Sequence, residues 1–291
     1  MKPAAFVYSR PDSVEQALLR LADPAAGAKL IAGGQSLAPM MNMRLAAPAE
    51  LVDLNDLTEL AYVRDAGEAL EIGALTRHDD VAGAPLVREH CPLLAQAAAT
   101  IGHYAIRQRG TLGGSLAHAD PAAQLPLVAV TLPAQIEVLS NRGARCIPAS
   151  EFFLSAMTTA LLPDELIQSV RFPKVGVGEG SSFHLFNRRQ GDFAIVAVAA
   201  CVAVHGGRVA RLRLGLGGVD AVPADHADTI RSFVGEPAGS SWVAAAAQAV
   251  ADAANPQDDP RVPAAYRRDL VRVLTQRALL DALQRARERA P

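Results

Sequence analysis

Apolar and polar positions in the first sixty residues follow two rhythms. Over 12–21 (DSVEQALLRL), Val14, Ala17, Leu18 and Leu21 fall on one face at helical spacing, with Asp12 or Ser13 as N-cap. KLIA (29–32) is a short apolar run that reads as a buried strand entering Gly33-Gly34. The pattern then predicts a helix over LAPMMNMRL, capped by Ser36 and tolerating Pro39 in its first turn. LVDL (51–54) returns as a strand. The chain therefore opens as helix, strand, glycine turn, helix, strand.

Further along, LEIGA (70–74) reads as a strand, Thr76 begins a helical stretch, and 85–99 reads as helix broken near Pro92. Residues 105–118 are rich in turn formers and show no clear period. A helix is expected over 121–131, bent or restarted at Pro126. QIEVLS and ARCIPA flank Asn141-Arg142-Gly143, a hairpin signal. Ser150 is expected to cap a helix over EFFLSAM, and ELIQSVRFP (165–173) reads as a strand. The Gly/Ser stretch 174–182 is the best domain boundary. Beyond it, 193–204 and 208–216 flank Gly206-Gly207 as a second hairpin, and helical stretches follow at 224–234, 241–254 and 264–289. No repeat of solenoid length is present.

Composition narrows the class. A chain of 291 residues suggests roughly two domains, because single cores seldom grow past about 250 residues. Lys and Arg number 28 against 30 Asp and Glu, so no global field draws the chain to nucleic acid or a membrane surface. Cys91, Cys146 and Cys201 are scattered and match neither a disulfide framework nor the four-cysteine spacing of an iron–sulfur site. The first residues lack the apolar core of a secretory signal, and the longest apolar run, Phe193–Val204, is too short to span a bilayer. The expectation is a soluble, cytoplasmic protein.

Candidate chemistry centres on two glycine pairs. Ala32-Gly33-Gly34-Gln35-Ser36-Leu37 lies between a predicted strand and a predicted helix, and Thr111-Leu112-Gly113-Gly114-Ser115 lies in the turn-rich stretch. Glycines let backbone N–H groups approach an anion closely, so two such turns suit the two phosphates of a dinucleotide. The same pairs are also what plain turns look like. Neither is the G-x-G-x-x-G of a Rossmann fold, and the near-misses at 176–181 and 215–218 lack a following helix. The seven histidines show no short paired spacing, so no metal site is expected. Asp79-Asp80 reads as a solvated turn or a helix start, and Arg188-Arg189 as a pair facing phosphate, a partner or solvent. No catalytic triad or carboxylate pair is present, as suits a protein whose chemistry a cofactor carries.

Five stretches together resemble the FAD-binding medium subunits of the molybdenum hydroxylases, which include carbon monoxide dehydrogenase flavoproteins and xanthine dehydrogenase FAD domains. They are residues 32–57, 101–126, 187–194 (NRRQGDFA), 214–219 (LGLGGV) and 266–279, in family order. The resemblance implies an α+β fold: an FAD-binding domain over 1–176, of two α/β subdomains (about 1–56 and 57–176), then a smaller α+β C-terminal domain over 177–291. It implies a pyrophosphate between the turns Ala32–Leu37 and Thr111–Ser115. It places Ile101 and Phe193 near the flavin ring, and adds Asp120, Gln124, His184 and Asp192 as cofactor-binding candidates. Many relatives carry His, Asn and Asp where this chain has Gln35, Ser115 and Gln124; all three replacements still hydrogen-bond. The family further implies electron transfer from two [2Fe–2S] clusters in a small subunit, a molybdenum cofactor in a large subunit, and a dimer of heterotrimers. The alternatives are a self-contained flavin oxidoreductase, or a non-catalytic subunit with a decayed flavin site.

Overall fold

Three parallel strands open the chain. β1 (Val7–Ser9) precedes α1 (Val14–Leu21), β2 (Ala28–Ile31), α2 (Leu37–Asn42) and β3 (Glu50–Asp53), and the strands pair in the order β1-β3-β2. The computed structural model describes residues 2–289. Ser13 is the N-cap: its Oγ accepts from the Gln16 amide at 3.3 Å. Ala17, Leu18 and Leu21 then pack on Val52, Leu54 and Leu57. Two details differ from the expectation. Ser36 makes no side-chain cap bond. The helix after it stops at Asn42, because Leu45 N–H bonds back to Met40 O and Arg44 turns the chain at φ +60. β1 escaped notice because three residues carry no period.

β4 (Val63–Asp65) and β5 (Ala69–Gly73) lead into six short helices: α3 (His78–Gly83), α4 (Pro85–His90), α5 (Pro92–Ala99), α6 (Tyr104–Arg107), α7 (Leu112–His118) and α8 (Gln124–Thr131). Pro92 and Pro126 both sit in first turns, where the missing N–H costs nothing. The chain returns through the hairpin β6 (Gln135–Ser140) and β7 (Gly143–Pro148), then α9 (Ala149–Phe152), β8 (Phe153–Ser155), β9 (Thr158–Thr159) and β10 (Leu166–Pro173). The expected helix over EFFLSAM is therefore one turn followed by a strand, and Ser150 lies inside that turn rather than capping it. An antiparallel sheet in the order β4-β5-β10-β6-β7 carries the helices on one face.

The third body is an antiparallel sheet, β11 (Glu179–Phe186), β12 (Val196–His205), β13 (Arg208–Gly217) and β14 (Ala224–Asp225), with α10 (Ala227–Ile230), α11 (Val243–Ala253) and α12 (Ala264–Glu288). Strand β11 begins inside the expected 174–182 linker, and the expected helix over 224–234 is a short strand, one helical turn and a 3₁₀ turn. β12 is buried on both faces, which explains its unbroken apolar run. Ala197, Ala199 and Cys201 join the core of the second body, while Val196, Val198, Ala200 and Val202 join that of α11 and α12.

The packing of β11 on α12 leaves no room at Gly180. A Cβ there would lie 2.2 Å from Ala282 O and 2.3 Å from Ala286 N, both backbone atoms. Gly180→Ala is expected to lower unfolding stability by about 1–3 kcal/mol, read as a lower urea midpoint at unchanged slope.

Candidate functional site

The first glycine turn ends β2. Gly34 sits at φ +68, a conformation that favours glycine. The amides of Gly33, Gly34, Gln35 and Ser36 donate to nothing among the described residues, while the Gln35 side chain folds back to Gly33 O at 2.7 Å. Four successive unpartnered N–H groups in a turn make a concavity suited to an anion.

The second turn is built differently. Leu112 N–H donates to Thr76 O at 3.0 Å and Gly113 N–H to Ala74 O at 2.8 Å. Thr111 Oγ1 accepts from Gly114 N–H at 3.1 Å, and Thr111 O accepts from Ser115 N–H at 3.0 Å. Two of its amides thus hold α7 on the 74–76 segment, and two close the first turn of α7 on Thr111. A Cβ on Gly113 would lie 2.6 Å from Ala74 Cβ, so this glycine serves packing. Only Gly114, exposed, and Ser115, half-buried, present themselves outward.

The first turn rests on the segment that leads into the second. A Cβ on Gly33 would lie 2.1 Å from Arg109 O and 2.8 Å from Gly110 Cα. Three residues that sequence reasoning missed hold this contact. Arg77 donates through Nη1 to Arg109 O and through Nη2 to Asn55 Oδ1 at 2.6 Å. Asn55 Nδ2 donates to Ala32 O at 2.9 Å, and its amide donates to Asp53 Oδ1. His78 lies under Gly110, its Nε2 donating to Thr111 O at 2.8 Å and its buried Nδ1 without a partner among the described residues. The only sequence signal for them was their position beside predicted strand ends.

Other predicted residues are spread around this centre. The His103 ring lies against Gly191, where a Cβ would fall 2.7 Å away, so the Ile101–His103 segment meets the loop bearing Asp192 and Phe193. Ile101 is half-buried, and Phe193 is 55% exposed. Gln124 is buried at the start of α8. Asp120 Oδ1 accepts from Ala122 N–H at 2.8 Å, and so shapes the turn before α8. Leu37 is half-buried at the first residue of α2. His184 Nε2 is 2.8 Å from Asp281 of α12, which ties it to the C-terminal body.

Comparison with known proteins decides what this arrangement is. The family model described as the FAD binding domain in molybdopterin dehydrogenase matches residues 4–175, and the carbon monoxide dehydrogenase flavoprotein C-terminal domain matches 181–282. The chain belongs to the FAD-binding medium subunits of the molybdenum hydroxylases. It is 41% identical to the 6-hydroxypseudooxynicotine dehydrogenase complex subunit alpha of Paenarthrobacter nicotinovorans, over 99% of this chain and 97% of that one. The carbon monoxide dehydrogenase medium chain of Hydrogenophaga pseudoflava is 35% identical over 98% of this chain and 99% of its own. A solved structure of carbon monoxide dehydrogenase from that organism superposes with a TM-score of 0.94 at 34% identity, covering 98% of this chain and 99% of that one. Quinoline 2-oxidoreductase from Pseudomonas putida 86 also gives 0.94, at 35% identity, 98% and 99% coverage.

As a medium subunit, the chain takes FAD. The first turn fits a pyrophosphate, with unpartnered amides and the Arg77 guanidinium close behind it. Burial and then the neighbouring Arg109 charge lower the Arg77 pKa, but a guanidinium stays charged in proteins. Burial likewise pushes His78 down to about 4, so its ring is neutral. That sets a pH dependence. Between about pH 6.5 and 4 the unfolded chain protonates this histidine and the folded one does not, so the stability present above pH 6.5 is lost on acidification, by about 3 kcal/mol. Comparing wild type with His78→Gln across that window is expected to show the variant lacking this portion of the slope.

Proposed function

We propose that this chain is the electron-transferring flavoprotein subunit of a molybdenum-containing hydroxylase or dehydrogenase. In this reading a partner small subunit supplies electrons from [2Fe–2S] clusters, a partner large subunit oxidises the substrate at a molybdenum cofactor, and an external acceptor takes the electrons from this subunit. The assembly is a dimer of heterotrimers. The observation that carries the reading is the run of four unpartnered amides at Gly33–Ser36, pressed against the Arg109-Gly110 entry to a second glycine turn in a family of FAD subunits.

FAD, when bound, supplies reversible electron transfer, and the protein supplies binding and orientation. Gly33–Ser36 hold the pyrophosphate through N–H groups, and Gly114 and Ser115 close over it from the other side. Ile101 and Phe193 flank the ring, with the His103–Gly191 contact fixing their separation. Gln124, at the start of α8, offers its amide to the ribose or adenine. Asp120 shapes the turn before α8 and Asp192 O accepts from Asn187 Nδ2 within its loop, while Leu37 and His184 complete the proposed cofactor-binding set. Relatives are named for substrates as different as carbon monoxide, glyceraldehyde, nicotine and caffeine. We therefore assign substrate recognition to the large subunit.

The full-length chain, purified with its partners, is expected to be yellow and to carry iron and molybdenum in stoichiometric amounts. Purification with flavin but without either metal would favour a self-contained flavin enzyme instead; a colourless protein that refuses added FAD would favour a decayed site. Gly33→Ala and Gly114→Val are each expected to lose flavin while the C-terminal domain still unfolds cooperatively. Full flavin occupancy in both variants would show that the turns do not hold the pyrophosphate.

A further inference from the structure

The first subdomain meets the second at a junction where one cation serves both sides. We propose that Arg77 is a positioning residue for FAD: it sets the gap between the two glycine turns and supplies positive charge behind them. The proposal rests on the reading of these turns as the pyrophosphate site.

The geometry is a relay. On one side Arg77 Nη1 donates to Arg109 O, the carbonyl that Gly33 touches. On the other, Nη2 donates to Asn55 Oδ1, and Asn55 Nδ2 donates to Ala32 O, immediately before the unpartnered amides. Asp53, which receives Tyr8 O–H, fixes Asn55 from behind through both its amide and its side chain. One guanidinium therefore connects the carbonyl at the entry of the first turn to the carbonyl two residues ahead of Thr111. Backbone pairing keeps Arg77 itself in register, because it bridges Thr111 and because His78 N–H donates to Gly110 O at 2.9 Å.

Charge adds to this. Arg77 has no ion-pair partner among the described residues; Asp79 pairs with Arg107, while Asp53 and Asp80 act on Arg77 only at longer range. A positive charge close to backbone amides strengthens their hold on an anion, and a planar fork with two fixed acceptors holds its position better than a lysine ammonium. The arginine thus acts through the turns and leaves the amides to touch the ligand.

The test uses the full-length chain co-purified with its partners, stripped of flavin and titrated with FAD by fluorescence quenching. Losing a charged hydrogen-bonding group is expected to weaken FAD binding about 10- to 100-fold in Arg77→Ala, with less loss in Arg77→Lys. Guanidinium ion in the buffer is expected to restore part of the Arg77→Ala loss, and the flavin-free variant to melt within a few degrees of wild type. Asn55→Ala breaks the relay at its other end while keeping the charge, and is expected to weaken binding by an intermediate factor. The proposal is overturned if Arg77→Ala binds FAD within about twofold of wild type, the error of such titrations set against the effect above. It is equally overturned if the loss tracks a collapse in melting temperature that Arg77→Lys shares and guanidinium does not relieve. Gly33→Ala separates the two readings. If it loses FAD while Arg77→Ala retains it, only the clamp fails; if Gly33→Ala retains FAD, the turns themselves are not the site.

Discussion

A backbone contact with no space for a methyl group organises the cofactor-binding half of the molecule. Gly33 rests directly on Arg109 and Gly110, and Gly110 in turn rests on the His78 ring. The three layers come from three distant stretches of chain: the end of β2, the loop between α6 and α7, and the start of α3. Neither half of the domain contains the arrangement alone. Polar bonds around the contact are directed at carbonyls, which a side chain reaches only when both backbones are already placed. The arrangement is therefore a product of closure between the first sheet and the second and not of either turn's local preference.

The C-terminal body is part of that closure. β12 gives its alanines and Cys201 to the core under the helices and its valines to α11 and α12, so one strand belongs to two cores. The small residues on the first face let α8 come close to the sheet. Gly218 N–H donates to Pro121 O at 2.9 Å, which fastens the turn carrying Asp120 to the end of β13. Arg267 of α12 reaches Ile195 O and Gly218 O, so the long helix also clamps the segment that follows Phe193. Through these contacts the C-terminal domain backs both the turn before α8 and the segment after Phe193. Burial of Cys91 and Cys201 pushes both thiols up to about 12, which leaves them as inert packing groups in this junction.

What could be read in the sequence was what local chemistry decides. The period of α1 and its serine cap, the strand that runs into Gly33, the hairpin at Asn141–Gly143 and the pair β12–β13 follow from nearest neighbours along the chain. The stretch 105–118 was illegible because the start of α7 is held by Leu112 and Gly113 amides bonded to Thr76 and Ala74, more than thirty positions earlier, and no local pattern encodes that. β11 was hidden because glycine and serine at 180–182 look like a linker, while in the fold their small size admits α12. Arg77 carries no motif in single-sequence terms, and Asn55 is one polar residue within a longer stretch that does not single it out. An arginine whose partners are two carbonyl-bearing loops becomes visible only when the loops are brought together.

The two glycine pairs look alike as text and differ as structure. In the first, the backbone donors stay free and glycine allows the turn to open toward a ligand. In the second, the donors are bonded inward and Gly113 admits Ala74, so most of that turn is a brace with one exposed edge. A symmetric grip by two nests would require two sets of free amides, and only one exists among the described residues. An asymmetric site asks more of whatever sets the distance between its halves, since the brace contributes position where it cannot contribute donors. In a chain whose net charge is only −2, attraction for a dianion has to be local, and a guanidinium lodged between the turns supplies it within the reach of the amides it aligns.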